Sequence, residues 1–337
     1  MRAPPDELEV DSVAAALRRG WDFDVDEAEY APVGGGSYHW RVADGSGRRG
    51  FVTVDHLDQK AWLGDTREAS FDGLRNAFEA AVALRKSGLQ FVVAPIPSRE
   101  GESVLRLDSR YAIALFPLVE GETGEYGHYE DDDEGGRAVV AMLAELHQAS
   151  GAVDAGLRLA GLDLPGRRYL EEALLERNET WTGGPLAEPA RHAVKDSAPV
   201  LAELLALADR LAAEARSRGG DWVVTHGEPH AANVILAGDD RFLVDWDTVA
   251  LAPPERDLWM LADGVRTGPA DLYARATGTR LDEAALDFFR LTWGLKDLAE
   301  YLKVLRSTHR ENDDTVRQYQ ALARSAELRE SWTALLD

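Results

Sequence analysis

Short alternating runs of apolar and polar residues occupy the first 120 residues of the chain and predict an antiparallel sheet. Glycine-rich turns at 34–37 and 44–47 separate the first three runs, as in consecutive hairpins. The predicted strands are residues 28–32, 38–42, 50–54, 92–95, 103–107 and 111–119. Apolar residues recur at helical spacing over 6–20 and 71–87, and a glycine ends or follows each of these helices.

The rest of the chain changes to a mainly helical pattern that a few short apolar strands interrupt. Residues 222–225 form one such strand, and 234–242 combine an apolar run, a turn and the start of a second apolar run. The predicted helices are residues 137–149, 168–181, 199–217, 255–262, 281–305 and 316–335. A sheet-rich first part followed by a helical second part predicts an α+β protein.

Composition excludes several classes of protein. The 337 residues are enough for two lobes, each with its own core, and 45% of them are hydrophobic. No run of 18 or more apolar residues is present, so we expect no membrane span, and the N-terminus lacks the apolar segment of a signal peptide. Without cysteine there is no disulfide and no thiolate metal site. These features predict a cytoplasmic protein.

The formal net charge of −23 bears on the partners of the protein. It would repel the phosphates of a nucleic acid, so we expect no nucleic-acid partner. A cationic substrate would be attracted to an acidic cleft, although acidic residues also serve solubility. Residues 120–134 carry eight acidic side chains and no Lys or Arg. This segment is predicted to be a solvated linker or to border such a cleft.

The most specific chemistry lies in one loop and the strand pair that follows it. Residues 226–233, His-Gly-Glu-Pro-His-Ala-Ala-Asn, place an acid at Glu228 and an amide at Asn233. After the predicted hairpin, Leu-Val-Asp-Trp-Asp brings Asp245 and Asp247 back beside the loop. An acid suits the activation of an attacking hydroxyl, and an amide with a carboxylate suits Mg²⁺ on nucleotide phosphates. The pattern predicts metal-assisted phosphoryl transfer.

This segment resembles the catalytic and metal-binding loops of the aminoglycoside phosphotransferases, and is most similar to their spectinomycin-kinase branch. The family's loop has His-Gly-Asp, an Asn and then Ile-Asp-Trp/Phe-Asp/Glu, and residues 252–259 resemble the segment that follows. The resemblance implies that Glu228 is the catalytic acid. It also implies that Asn233 and Asp245 hold Mg²⁺ and that Asp247 lies near the metal. Glu228 departs from the usual Asp and is one methylene longer.

The resemblance further implies a two-lobe, protein-kinase-like α+β fold. The N-lobe would be residues 1–119 and bind nucleotide, and the C-lobe would be residues 120–337 and carry the catalytic loops and substrate helices. The glycine-rich turn would cover the phosphates, and the end of strand 111–119 would be the hinge that binds the adenine edge. The expected third-strand lysine is absent. Lys60 is the nearest replacement, with Glu79 as its partner, and Arg48, Arg49 and Arg67 are other candidates. The implied nucleotide-binding residues are Gly35, Gly36, Ser37, Lys60, Phe116 and Val119.

Helix 281–305 carries a candidate substrate site. Trp293, Asp297 and Glu300 are spaced by four and three residues and therefore share one helix face. An aromatic ring beside two carboxylates can hold a cationic amine, and the Trp-x-x-x-Asp spacing resembles the substrate helix of the spectinomycin-kinase branch. The alternative is an aromatic residue packed in the core, with acids at its exposed edge.

We therefore expect a kinase that uses Mg²⁺ to transfer the γ-phosphoryl group of ATP or GTP to a hydroxyl of an aminoglycoside, aminocyclitol or related antibiotic. A metabolic kinase of the same fold, acting on choline, a sugar or methylthioribose, is one alternative. A catalytically silent nucleotide-binding homologue is another, because the strand lysine is missing and Glu228 replaces Asp. An unrelated metal hydrolase that uses His226, His230 and Asp245 is the third.

Overall fold

The computed structural model of the protein describes residues 4–5, 8–34, 36–60, 62–125, 134–153, 156–262, 264 and 267–325. The chain forms two compact units, each built from two segments. The first unit contains Met1–Ala160 and Trp222–Arg280, and the second contains Gly161–Asp221 and Leu281–Asp337. The lobe boundary expected at residue 119 falls inside the first unit and stays a prediction.

The chain alternates between strands and helices before it becomes helical. The helices are α1 Val10–Trp21, α2 Arg67–Lys86, α3 Glu134–Gln148, α4 Arg167–Leu175, α5 Ala187–Arg218, α6 Glu255–Leu258, α7 Gly268–Thr277, α8 Glu283–Arg306 and α9 Asp313–Ala323. The strands are β1 Val25–Tyr30, β2 Ser37–Asp44, β3 Arg49–His56, β4 Leu105–Arg106, β5 Tyr111–Pro117, β6 Glu122–Thr123, β7 Val223–Thr225, β8 Val234–Ala237, β9 Asp240–Leu243 and β10 Ala250–Ala252. Helices α4, α5, α8 and α9 belong to the second unit, and all other elements belong to the first.

The N-terminal sheet has the predicted antiparallel meander. Its five strands lie in the order β1-β2-β3-β5-β4, and every neighbouring pair is antiparallel. Strand β3 pairs Asp55 with Ser37 on one side and with Ala112 on the other. Because successive side chains of a strand face opposite sides, Asp55 faces away from the side to which Val54 points.

Two hydrophobic cores cover the two faces of this sheet. One core joins α1 to the sheet and contains Trp40, Val54 and Ile113. The other joins α2 to the opposite face and contains Phe78 and Phe116. Strand β5 contributes to both cores and is buried along almost its whole length. Removal of these apolar side chains from water is the main driving force for the fold of this unit.

Two small sheets of the first unit carry the segments with the predicted chemistry. Strands β6, β8 and β9 form one sheet in that order, and β7 pairs with β10 in the other. The β8–β9 pair is the tight hairpin predicted from residues 234–242, with Val234 opposite Leu243. The chain therefore leaves β7, forms the loop 226–233, and returns past that loop at the end of β9.

The second unit consists of the long helices α5 and α8 together with α4 and α9. Asp282 caps α8 by accepting a hydrogen bond from the N–H of Ala285. Asn312 and Thr315 form a capping box at the start of α9. Each cap satisfies backbone donors that a helix N-terminus leaves without partners, and so defines where these helices begin.

The α+β class is confirmed, and most predicted elements are found with shifted ends. The predicted strand at 92–95 is wrong, because this segment forms only one bridge among the described residues and ends in Pro95, which has no N–H to donate. Helix α5 begins at Ala187, earlier than expected, and contains Pro199. The predicted helix 316–335 is seen up to Ala323, and 326–337 lie outside the described residues. Among the described helices, none combines the length and the apolar character that a membrane crossing requires.

Candidate active site

The β8–β9 hairpin brings Asn233 next to the segment that carries Asp245. Asn233 ends the loop immediately before β8, and Asp245 follows β9 by two residues. Val234 lies opposite Leu243, so Asn233 and Val244 form the next facing pair, and the Val244 N–H donates to the Asn233 carbonyl at 3.0 Å. Antiparallel pairing therefore fixes the spacing between the amide and the carboxylate of the motif.

The loop itself orients the side chain of Asn233. The amide nitrogen donates to the carbonyl of Glu228 at 2.9 Å and lies 3.4 Å from Nε2 of His230. The nitrogen end of the amide is therefore held by the protein, and the oxygen end is the part of the group that suits a cation. Glu228 is partly exposed, so its carboxylate can meet a substrate without local unfolding.

Asp245 has a backbone conformation that few residues other than glycine adopt. Its φ of 68° and ψ of 64° lie in the left-handed region, just before the turn Trp246–Thr248. The side chain reaches solvent, but the surrounding protein displaces part of the water around the carboxylate. That desolvation and the charge of Asp247 raise the pKa of Asp245, although Lys60 acts in the opposite direction. Asp245 thus lies where negative charge is concentrated, and a bound cation would stabilise it.

His226 links the loop to the end of β9 through both nitrogens of its ring. Nε2 lies 2.9 Å from the carbonyl of Val244, and Nδ1 accepts a hydrogen bond from the N–H of Glu228 at 3.2 Å. This pattern requires the neutral tautomer with its hydrogen on Nε2. Burial lowers the pKa of His226 to about 4, which favours the same neutral form. Because both ring nitrogens are engaged in hydrogen bonds, His226 is not a metal ligand. The metal-hydrolase alternative therefore lacks one of the three residues on which it was based.

Asp257 in α6 holds the backbone of the loop. Its carboxylate is fully buried and accepts hydrogen bonds from the N–H of His226 at 2.8 Å and from the N–H of Gly227 at 2.6 Å. Nε2 of His147 lies 3.1 Å from the same carboxylate. Burial alone would raise the pKa of Asp257, but the hydrogen bond and charge of His147 keep that pKa below its usual value. The sequence analysis included Asp257 only as a member of residues 252–259, because its hydrogen bonds are made to residues that are distant in the chain.

Asp257→Ala is expected to destabilise the protein strongly. Two buried N–H groups of the loop would lose their acceptor, and each costs about 1–3 kcal/mol when left without a partner. We expect the thermal unfolding midpoint to fall by at least about 5 °C. Asp239→Ala, at an exposed turn position of the β8–β9 hairpin, is the matched control and should change the free energy of unfolding by less than about 0.5 kcal/mol. An unchanged midpoint for Asp257→Ala would contradict the support assigned to this carboxylate.

Lys60, predicted as the replacement for the missing strand lysine, is buried among carboxylates. Only 1% of its surface is exposed. Its ammonium lies 2.9 Å from Oδ1 of Asp55, donates to Oγ of Ser37 at 2.9 Å, and forms an ion pair with Asp247. Burial opposes a charged ammonium, but the charges of Asp247 and Asp55 outweigh it and raise the pKa of Lys60. Lys60 is therefore a buried, protonated cation and not a solvated surface charge.

Asp55 is a site residue that the sequence analysis missed. It interrupts the apolar pattern of β3, and Oγ of Ser37, the residue opposite in the register, donates to its Oδ1 at 2.6 Å. A carboxylate on the buried face of a strand was the available signal. Glu79, suggested as the partner of the lysine, lies instead 4.0 Å from Arg75 within α2.

The glycine-rich turn approaches the buried lysine. Gly36 has a φ of 94°, which glycine adopts readily, and a Cβ on it would lie 4.0 Å from Nζ of Lys60. The side chain of Trp62 would lie at the same 4.0 Å distance from that Cβ. Gly35, assigned to phosphate binding with its neighbours, lies outside the described residues.

The two candidate hinge residues differ in their surroundings. Phe116 is the penultimate residue of β5, and its ring packs edge-on against Phe78 at 5.4 Å within the core. Val119 follows the end of β5 and is partly buried against the same core. Both side chains therefore serve packing, and a nucleotide contact at either position would involve the backbone, as the resemblance implies.

Two arginines that the sequence analysis did not single out lie beside the loop. Nη2 of Arg256 and Nη2 of Arg158 both donate to the carbonyl of Thr248 at 2.9 Å. Arg256 occupies the space next to Gly227, where a Cβ would lie 2.2 Å from its Nη2. Burial lowers the pKa of Arg256, and lowers that of Arg158 to about 10, while the charge of Glu228 acts in the opposite direction. These arginines provide positive charge next to the loop.

The candidate substrate residues lie on α8, in the second unit. The ammonium of Lys296 lies 5.1 Å from the centre of the Trp293 ring. A cation of the protein itself therefore already contacts this ring. Glu300 is exposed and pairs with Lys303 at 3.2 Å, whereas Asp297 is partly buried. The role of these residues in binding a substrate stays a prediction.

The oxygen atoms near Asp245 fit a hard divalent cation that also binds phosphate. Across the described residues, no group of three or more His, Cys, Asp or Glu is arranged as a complete metal site. Mg²⁺ does not need one, because it takes one or two carboxylates and completes its shell with water and substrate phosphates. Asp245 and the side-chain oxygen of Asn233 would provide such a partial set. Asp247, the further acid expected near the metal, is paired with Lys60.

The sequence and the fold are both similar to those of known proteins with phosphotransferase names. The sequence profile of the phosphotransferase enzyme family matches residues 30–291. Protein StrN from Streptomyces griseus is 31% identical over 273 residues, which are 78% of this chain and 80% of that protein. A spectinomycin phosphotransferase, solved with ADP and spectinomycin, has a TM-score of 0.70 at 17% identity and covers 96% of this chain and 99% of its own. An amicoumacin kinase solved with AMP-PNP and Ca²⁺ has a TM-score of 0.60 at 13% identity, over 96% of this chain and 94% of its own. The two structures show a shared fold.

Proposed function

We propose, because this chain belongs to the phosphotransferase enzyme family, that it transfers the γ-phosphoryl group of ATP or GTP to a hydroxyl of a small antibiotic. Membership confirms the resemblance and the enzyme class expected from the sequence. The observation that carries the proposal is the loop and hairpin that hold Glu228, Asn233 and Asp245 in one segment. An acid, an amide and a carboxylate in this order are the parts that phosphoryl transfer requires.

Glu228 is assigned to the acceptor hydroxyl. As the hydroxyl oxygen bonds to the γ-phosphorus, the bond from that phosphorus to the leaving nucleoside diphosphate breaks, and the hydroxyl proton passes to the carboxylate. Asp257 fixes the backbone immediately before Glu228, and the ring of His226 accepts a hydrogen bond from the Glu228 N–H. This support keeps the carboxylate in place during attack, and such positioning accounts for much of the acceleration in this kind of reaction.

The nucleotide site combines a metal ion with a buried lysine. Asn233 and Asp245 would hold Mg²⁺, whose charge when bound neutralises the phosphate oxygens. Lys60 provides a second positive charge, and the turn at 35–37 provides backbone N–H groups for the same phosphates. The backbone after β5, including Val119, would bind the edge of the purine. We assign the reaction to the cytoplasm, where nucleoside triphosphates are available.

Charge and relatives support an antibiotic as the acceptor. The net charge of −23 favours a cationic molecule over an anionic one. Two proteins of the same fold are named as a spectinomycin phosphotransferase and an amicoumacin kinase. We therefore propose an aminoglycoside, an aminocyclitol or a related antibiotic, with resistance as the outcome of its phosphorylation.

Turnover measured with a panel of acceptors tests this proposal. Purified protein with MgATP or MgGTP is given an aminocyclitol, an aminoglycoside, a macrolide, choline or methylthioribose, and release of nucleoside diphosphate is followed. We expect a kcat/KM above about 10⁴ M⁻¹s⁻¹ for one of the antibiotics. Turnover with choline or methylthioribose alone would favour a metabolic kinase. Nucleotide binding without turnover of any acceptor would favour the silent homologue.

Asp297→Asn is expected to raise the KM for a cationic acceptor and to leave the KM for nucleotide unchanged. A partly exposed charge pair contributes about 0.2–1 kcal/mol, so the KM should increase by a factor between about 1.4 and 5. Added salt should raise the same KM, because dissolved ions screen the attraction between the acceptor and the carboxylate. The Debye length is about 8 Å at physiological ionic strength, so only charges that line the pocket should contribute. Steady-state kinetics at two salt concentrations measure both effects.

The control for this prediction is another aspartate of the second unit. Asp314→Asn, at an exposed position in the first turn of α9, removes the same charge and should leave the KM unchanged. If both variants raise the KM equally, the effect comes from net charge and not from a substrate contact. A KM that does not depend on salt in wild type and variant would remove the electrostatic argument.

A further inference from the structure

Three protein oxygens already surround the ammonium of Lys60. An ammonium carries three N–H donors. Its three neighbours are a carboxylate oxygen of Asp55, the hydroxyl of Ser37 and a carboxylate oxygen of Asp247. A nucleotide phosphate that approaches Lys60 must therefore compete with these neighbours for the ammonium.

Two of the three neighbours are fixed by the sheet. Asp55 and Ser37 face each other across the β2–β3 ladder and are joined by their own hydrogen bond of 2.6 Å. Asp55 is buried, and the turn Leu57–Gln59 ties its strand closely to Lys60. Its second oxygen, Oδ2, is buried without a hydrogen-bond partner among the described residues, so the group has no alternative bond to which it could turn.

The third neighbour is held differently. Asp247 lies in the short turn Trp246–Thr248, outside any strand, and 187 residues separate it from Lys60 in the chain. Its charge also contributes to the excess of negative charge at Asp245. The Asp55 carboxylate also accepts a hydrogen bond from Ser37, whereas Lys60 is the one hydrogen-bonding partner of the Asp247 carboxylate found among the described residues. Asp247 is therefore the partner that can be exchanged.

We propose that Asp247 occupies the phosphate-binding position of Lys60 until a nucleotide arrives, and that Asp55 is the positioning residue that keeps the ammonium aimed at that position. The proposal rests on the nucleotide-binding role of Lys60 stated above. It makes Asp247 a competitor of the nucleotide when no metal is present. Once displaced, the Asp247 carboxylate is no longer neutralised by Lys60, so the negative charge near Asp245 increases, and nucleotide and divalent cation favour the binding of each other.

Calorimetric titration with ADP, first in EDTA and then in Mg²⁺, tests the exchange. In EDTA, Asp247→Asn should bind ADP about tenfold more tightly than wild type, because the competing charge is gone. Asp55→Asn should bind ADP about tenfold more weakly, because the ammonium loses its anchor. The improvement in ADP affinity on adding Mg²⁺ should be smaller in Asp247→Asn than in wild type. Asp58→Asn, an exposed acid of the same turn that pairs with Arg67, is the matched control and should behave as wild type.

Each result bears on a different part of the proposal. Asp247→Asn that binds metal-free ADP no more tightly than wild type would overturn the exchange, and misfolding cannot produce the tighter binding that we expect. Wild-type ADP affinity in a folded Asp55→Asn would overturn the role of Asp55. If thermal unfolding shows that Asp55→Asn does not fold, Asp55→Glu takes its place, with weaker ADP binding expected and unchanged binding contradicting the role. Wild-type protein that binds no ADP even with Mg²⁺ would contradict the proposed function itself.

Discussion

Asp245→Asn is expected to reduce phosphoryl transfer by more than about 10²–10³-fold without destabilising the fold. The amide keeps the shape of the side chain and tolerates the left-handed backbone at this position, but it lacks the charge that would hold Mg²⁺. Desolvation and the neighbouring Asp247 raise the pKa of Asp245 in the folded protein. At pH 7 its ionised form therefore costs folding free energy, and the uncharged variant should unfold at an equal or higher temperature.

Two measurements separate these effects. Steady-state kinetics with MgATP report the loss of transfer, and a thermal unfolding curve reports stability. Asp239→Asn, at an exposed turn position of the β8–β9 hairpin, makes the same chemical change and should alter neither quantity. Near-normal turnover in Asp245→Asn would contradict the kinase assignment. A much lower unfolding temperature would mean that the charge of Asp245 stabilises the fold, contrary to the direction of its pKa.

Glu228→Gln is expected to lower kcat by about 10²–10⁴-fold, which is the usual contribution of a positioned acid or base. Nucleotide affinity should stay within a factor of about two, because this carboxylate is assigned to the acceptor and not to the metal. Single-turnover kinetics and a separate titration with ADP measure the two quantities. Glu100→Gln, at an exposed turn of the same unit, is the control.

The variant Glu228→Asp decides whether the departure from the family's usual Asp matters. If Asp supports the same kcat as Glu, the pocket accepts either length of side chain. If Asp is slower, the acceptor is bound at a distance matched to Glu. An unchanged kcat in Glu228→Gln would mean that the proton passes to another group.

The local pattern of apolar, polar and glycine residues was enough to predict the strands and turns that form between segments close together in the sequence. The alternation in β2 and β3, with glycines between the strands, predicted a meander that the register confirms. The turn between β8 and β9 predicted a tight hairpin, and that hairpin alone carries Asp245 back to Asn233. The prediction failed at 92–95, where, in the part of the chain that the structure describes, an apolar run of strand type pairs with Leu243 through a single bridge. Whether such a run becomes a strand depends on a partner that the run does not contain.

The residues that support the site could not be found in this way. Asp257 contacts the loop backbone across 30 residues, and Asp55 faces a lysine that another segment also holds. Their hydrogen bonds exist only after α6 and β3 have packed, so no spacing in the sequence reports them. The signal available was chemical: a carboxylate in an apolar strand, and an aspartate in a segment of otherwise structural residues.

The family, the α+β class and the order of acid, amide and carboxylate from Glu228 to Asp245 were predictable without coordinates, because each follows from local periodicity or from a contiguous motif. The state of Lys60, by contrast, depends on contacts that exist only in the folded protein. In the sequence it is a lysine just past a strand, and in the fold it is a buried cation between Asp55 and Asp247. The physical reason is that the charge and burial of a side chain are set by all groups that packing brings around it, and one of these lies 187 residues away along the chain.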